Sequence, residues 1–221
     1  MLLARNTAFS LLIIMKKRCF LSTVVILIWT VALYGQKEDQ IWLLGYDRNP
    51  PPANQTVKRI MLDFSDSMSI VYTGGAIPMS LSNVSTCDST GGILLVSNSC
   101  NIENQFGNVI ENSDSLNPGL VYDQFCTGDE PIGYRSTTNM LLLQQPDSTH
   151  LYYLFHRSVY FTITPLVAYG DKLRYSVVDV AKNNGEGLVL EKNTIILEDT
   201  LSYDGICAVR HGNGRDWWIL T

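Results

Sequence analysis

The chain has 221 residues, 46% hydrophobic and 17% charged, with a formal net charge of −5. That composition belongs to a globular chain with fewer charges than usual, long enough for one sizeable domain or part of a larger one. The balance is acidic and no basic run occurs beyond residue 35, which argues against nucleic acid and anionic membrane surfaces as partners.

The first 35 residues stand apart. They hold Arg5, Lys16, Lys17 and Arg18 and no acidic residue, and the run from Phe20 to Tyr34 is apolar and ends at Gly35. A positive start, a short apolar stretch and a small residue at the exit make a secretory signal peptide, and the apolar run is shorter than the ~20 residues of a spanning helix. Met15, directly before the basic cluster, is the better start, so residues 1–14 read as upstream of the true initiator. Cleavage after Gly35 leaves a mature chain of residues 36–221 with 12 basic and 21 acidic residues, and no permanent membrane span is expected. Cys19 follows Arg18 and sits too early for a lipidation site.

The mature chain is rich in short apolar runs broken by turn residues, the all-β signal, and helical periodicity is nearly absent. Strands are expected over 41–46, 58–64 and 69–72, closed by Gly74-Gly75, then over 83–87 and 93–97, joined by the turn-rich 88–92 segment. Short runs at 101–102 and 109–110 flank a turn, and 112–119 is a polar loop. Strands at 139–143, 151–156, 173–180 and 188–197 follow, with a loop or an extra hairpin over 157–170. A last hairpin joins 205–211 to 217–221. Four strands between 139 and 197 approximate one unit, and a repeat of ~40–45 residues with four strands is the mark of a β-propeller blade of the WD40-like kind. The mature length suits about four such blades. Because an unclosed propeller exposes strand edges, the expectation is the N-terminal part of a larger propeller.

Four cysteines remain after the leader: Cys87, Cys100, Cys126 and Cys207. An even count in an exported chain suggests two disulfides, and three pairings are open. The preferred one closes Cys87 with Cys100 around the strand at 93–97, leaving Cys126 with Cys207. A metal site is disfavoured, since there is no C-x-x-C and His150, His156 and His211 do not cluster at ligand spacing.

Several stretches resemble a family of large exported proteins from Bacteroidetes-type bacteria. They are Ile41-Trp42-Leu43-Leu44-Gly45-Tyr46, Cys87-Asp88 with Gly92-Ile93-Leu94-Leu95, the 111–119 loop, Tyr152-Tyr153-Leu154-Phe155-His156, the 173–179 strand, and His211-Gly212-Asn213-Gly214-Arg215-Asp216-Trp217-Trp218. The resemblance covers nearly all of residues 40–221, and its last motif is the most specific. It implies an N-terminal β-propeller-like region, secretion or display at the outer cell surface, and by analogy a type IX sorting or gliding-motility-associated C-terminal domain, which this sequence lacks. It brings architecture and location, not a reaction.

Candidate sites are few. Arg215, Asp216, Trp217 and Trp218 could form a ligand loop with an aromatic platform; a plain hairpin turn with one Trp in the core is the preferred reading. Asp114 and Asn117 lie in a loop with oxygen side chains at alternating spacing, the only place for calcium, although it lacks the glycine and the distant glutamate of an EF-hand; a structural turn is preferred. His156 could be a base oriented by Asp147 or Asp179, but a hydrogen-bonded structural histidine is preferred in the absence of any catalytic motif. The expected function is binding, adhesion or assembly with a surface protein or polysaccharide, without a cofactor. The alternative is an exported hydrolase or lyase, whose candidates would be Asp63, Asp114, His156 and Asp179.

Overall fold

The computed structural model describes residues 37, 40–45, 59–128 and 131–221. The expected leader at 1–35, the start at Met15 and the proline-rich turn after β1 lie outside the described residues.

The described chain is all-β, with four antiparallel sheets in chain order, none of them closed. Sheet 1 holds β1 (Ile41–Gly45), β2 (Arg59–Asp63) and β3 (Ser69–Thr73). Sheet 2 holds β4 (Val84–Cys87), β5 (Ile93–Ser97) and β6 (Ile102–Asn104). Sheet 3 holds β7 (Met140–Gln144), β8 (Leu151–Ile163), β9 (Leu166–Asp179) and β10 (Leu188–Leu201). Sheet 4 is the hairpin β11 (Cys207–Arg210) with β12 (Trp217–Leu220). In each sheet every strand pairs antiparallel with the next in sequence.

Strand alternation builds the layers. In β5, Leu95 joins a core with Ile102, Met140, Leu142, Tyr152, Leu154, Val178 and Val189, between sheets 2 and 3. The next residue, Val96, points the other way and packs with Leu43, Ile77 and Met79 between sheets 1 and 2. Sheet 2 is therefore sandwiched, and its central strand β5 is apolar on both faces. The first strands of the sheets lie side by side, β1 beside β4 and β4 beside β7. The approach to β11 continues the series, since the N–H groups of Gly205 and Ile206 both donate to the Thr138 carbonyl, just before β7.

The segment expected as a loop or an extra hairpin at 157–170 is the hairpin: β8 and β9 pair on to Ile163↔Leu166, with one register shift between Ser158 and Val159, around the cis Thr164–Pro165 bond. One element was not expected, the single turn of helix α1 (Leu120–Phe125). Six residues are too few to display a helical period. It lies in a third core of Cys100, Val121, Cys126, Tyr134 and Val159, where the Tyr134 hydroxyl accepts the Val159 N–H at 3.0 Å.

The disulfide joins Cys100 to Cys126, which overturns the expected pairings of Cys87 with Cys100 and Cys126 with Cys207. The reason is strand geometry. Cys87 pairs with Ile93 at one end of β5 and Cys100 follows its other end, so about 3.3 Å per residue of extended chain separates them. Cys87 is buried and Cys207 is exposed, and both lie outside that bond.

Candidate functional site

The region around His156 is a buried polar seam rather than an open site. His156 lies mid-strand in β8 between Met140 and Arg174, on the face turned toward sheet 2, and is wholly buried. Its Nδ1 donates to Asn117 Oδ1 at 2.7 Å, and its Nε2 accepts from the Ser176 hydroxyl at 2.9 Å. The neighbouring bonds dictate that tautomer: Asn117 spends its Nδ2 on Ser99 Oγ at 2.7 Å, so its oxygen must face the ring. Asn193 closes the seam, taking the Asn117 N–H on its Oδ1 and giving its own N–H to Ser176 Oγ. Three strands of sheet 3 are thus tied to the loop that follows β6.

Burial, and then the charge of Arg174, push the His156 imidazole down to about 3. The ring stays neutral and out of reach of solvent at neutral pH. Asp179 pairs with Leu151, five residues back along β8, and caps the Ala181 N–H, while Asp147 is held by Arg215 at 3.3 Å. Neither orients the imidazole. An acid-stability test follows. Below pH 6.5 the unfolded chain takes up a proton at this histidine and the folded chain does not, so stability falls as pH drops from 6.5 toward 3. The loss from this group is about 1.4 kcal/mol per pH unit. Denaturant midpoints between pH 7 and 4.5 should show that slope, and His156→Gln should flatten it; an unchanged slope in the variant refutes the assignment.

The loop at 112–119 does hold a cation, but a covalent one. The Lys192 ammonium donates to Asn112 Oδ1 at 3.0 Å, to the Asp114 carbonyl at 2.9 Å and to its carboxylate at 3.4 Å. Asn117, the second calcium candidate, is turned inward to His156. The oxygen spacing in the sequence reflects a loop built around a lysine, whose position in β10 no local pattern shows. Among the described residues no three His, Cys, Asp or Glu side chains come together as a metal cluster.

The enzyme candidates do not converge. Asp63 closes β2 in sheet 1 and accepts the Ser65 N–H, Asp114 faces Lys192, His156 is sealed, and Asp179 ends β9.

The 211–218 turn is a solvent-facing hairpin. Asn213 and Asp216 brace it, the Arg215 Nε donates to Asp216 at 2.9 Å, and the Arg210 guanidinium lies 4.8 Å over the Trp217 ring. Hydrogen bonds from Arg215, then Asn213, hold the Asp216 carboxyl below its ordinary value. Trp217 is half-buried, whereas Trp218 is exposed and leans on His211. Neither tryptophan enters a core cluster, and Trp218 lies beside the exposed Val209 and Leu220.

Among the described residues, large apolar side chains lie exposed at both ends of the stack. One set is Trp42, Leu44, Ile70 and Tyr72 on sheet 1; the other is Val209, Trp218 and Leu220 on sheet 4. Alternation along β1 sends Leu43 inward and Trp42 and Leu44 outward. Likewise Tyr152 and Leu154 enter the core while Tyr153 and Phe155 cluster with Tyr175 on the opposite face. No helix among the described residues is long and apolar enough to cross a membrane. No known family, curated protein or solved structure matches this chain.

Proposed function

We propose that this chain is an exported β-propeller-like protein, secreted or held at the outer cell surface, that acts in binding, adhesion or assembly. The observation that carries the reading is the arrangement of the sheets. Each is an up-and-down meander, sheets 1 to 3 stack in chain order with their first strands β1, β4 and β7 side by side, and the segment before β11 bonds to Thr138, just before β7, in the same series, as blades do around a central axis. On this reading sheet 3 is a full four-stranded blade, sheets 1 and 2 are three-stranded blades and sheet 4 is half of one. The disulfide supports an oxidising compartment. The leader-like 1–35 segment and the resemblance to Bacteroidetes-type exported proteins support the route, with type IX sorting as its final stage.

Expression with the native N-terminus in a Gram-negative host tests the reading. The expected result is protein recovered from medium or cell envelope that begins at Gln36, carries the Cys100–Cys126 bond, and is cleaved by protease added to intact cells if surface-bound. Protein confined to the cytoplasm with its leader intact would sink it.

A further inference from the structure

The far end of the β8–β9 hairpin has a polarity that runs along its axis. β7 pairs with β8 only as far as His156, and the last row of β10 on β9 is Leu201↔Gly170. Past that row the two strands pair only with each other, through Tyr160↔Tyr169, Phe161↔Ala168, Thr162↔Val167 and Ile163↔Leu166. Phe161 still rests on the core around the Cys100–Cys126 bond, which fixes the base of the ribbon. Charged groups stand at that base, where the Lys172 ammonium meets Glu198 at 3.0 Å and Asp171 at 3.5 Å. One row past Gly170 the Tyr160 and Tyr169 rings stack, with 5.2 Å between centroids. At the tip, Ile163 and Leu166 are 73% and 75% exposed, more than any other large apolar side chain among the described residues. Residues 159–170 contain no charged side chain.

Charge, then phenol, then aliphatic is the order of water, headgroup and acyl chain at a bilayer surface. The step from the tyrosine row to the tip is three residues of ~3.3 Å, about 10 Å, which matches the depth to which interfacial segments enter. Tyrosine favours that boundary because its ring is apolar and its hydroxyl is not. The tip is also apolar all round, with Ile163 and Leu166 on one face and Val167 on the other. A groove on a protein would cover one face, whereas a lipid phase covers both. The other exposed apolar stretches lack this order. In β10, Leu190, Ile195, Ile196 and Leu197 are interleaved with Glu191, Lys192, Glu198 and Asp199, and in sheet 1 Asp63 and Asp66 lie among Phe64, Met68 and Ile70. Charges in those places are costly to carry into lipid. The ribbon is barred from crossing, because its unpaired edge groups are not tolerated in hydrocarbon. At the crown the cost is small: Pro165 has no N–H, and its carbonyl accepts the Thr162 hydroxyl at 3.3 Å.

We infer that the β8–β9 tip inserts into the surface of a neutral phospholipid bilayer. Ile163, Pro165 and Leu166 enter the upper acyl chains, and Tyr160 and Tyr169 stop at the headgroups. The net negative charge of the chain suits a zwitterionic surface and opposes an anionic one. Two aliphatic side chains and a proline are less than one fatty acyl chain, so the affinity lies below the ~10⁴ M⁻¹ of a myristoyl anchor and attachment is reversible. The inference goes beyond the proposed function by giving the chain a lipid partner, and it rests on neither the blades nor the export route.

The test floats the mature protein, purified from the expressing host, with phosphatidylcholine vesicles at about 5 mM lipid. The expected result is co-flotation that high salt does not weaken. Ile163→Asp with Leu166→Asp should keep wild-type circular dichroism and lower the partition constant roughly ten-fold or more. Ile196→Asp in β10 and Ile70→Asp in sheet 1 should leave it within about two-fold. In a Cys207→Ser background, an environment-sensitive dye on Ile163→Cys should be quenched by brominated lipid, and the same dye on Ile196→Cys should not. Absence of both flotation and quenching overturns the inference. Flotation that the double tip variant retains places the contact elsewhere and overturns it, as does flotation confined to anionic vesicles. A wild type that ignores vesicles but forms a complex with itself that the double tip variant breaks, seen by light scattering, overturns it in favour of a protein partner. Exported, leader-free protein that neither floats nor quenches would defeat this inference alone. Protein retained in the cytoplasm with its leader intact, yet quenched at the tip dye, would defeat the export reading alone.

Discussion

Glu103→Ala should lower the free energy of unfolding by about 3–5 kcal/mol, the cost of removing one partner of a buried ion pair. Glu103 lies in β6 and Arg59 at the start of β2, and both side chains are almost fully buried. A single nitrogen of Arg59, Nη2, donates to both carboxylate oxygens, at 2.6 and 2.7 Å. The same carboxylate accepts the N–H groups of Ala76 at 2.7 Å and Ile77 at 3.2 Å. Alanine at 103 would strand a guanidinium and two amide donors away from water. Arg59 Nε already lacks a partner, so little reserve exists for the cation to redirect its bonds. The chain makes room for this pair at Gly75, where an added Cβ would fall 0.8 Å from Arg59 Nη2. That close approach, and not a turn, is what Gly75 is for, and Gly75→Ala should be destabilising in the same direction. Urea unfolding of the two variants and the wild type measures the effect. A Glu103→Ala change below about 1 kcal/mol would show that the pair contributes no more than a surface contact. The double variant Arg59→Met with Glu103→Leu should recover much of the loss, because it removes both charges together.

Reduction of the Cys100–Cys126 bond should cost about 3.5 kcal/mol, the loop-closure value for a separation of 26 residues. The loop it closes contains β6, the seam residue Asn117 and helix α1. Opening it frees the segment that ties sheet 2 to His156 as well as relaxing the unfolded chain. Cys100→Ala with Cys126→Ala should reproduce the loss, and Cys207→Ser, exposed and outside the bond, should stay within about 0.5 kcal/mol of wild type. Peptide mapping without reductant should recover the 100–126 linkage. A Cys87–Cys100 peptide, or equal stability with and without reductant once reduction is verified, would refute this account.

The strands were legible because they are local events. β5 begins and ends at the expected residues, and the four strands read between 139 and 197 are the four-stranded sheet. Alternation and turn chemistry act over a few residues, so a sequence displays them directly. The groups that join one sheet to another were not legible. Glu103 finds Arg59 across 44 residues, His156 finds Asn117 across 39, and Lys192 finds Asp114 across 78. In each case the partner lies far away in sequence, and no local pattern names it. The cysteine pairing failed for the same reason. Nearness in sequence favoured Cys87 with Cys100, but a strand between two cysteines holds them apart.

The side-by-side first strands carry a consequence for how the molecule comes undone. Each sheet meets chiefly the sheets before and after it, so stability is distributed like a row of coupled links rather than a single lattice. A lesion at one link should fray the row from its nearer end. Sheet 1, clasped to sheet 2 by Arg59 and Glu103, should exchange its amide hydrogens first, while the part of β8 and β9 around Leu154 and Val178, buried in the core between sheets 2 and 3, should protect its own until the whole chain opens.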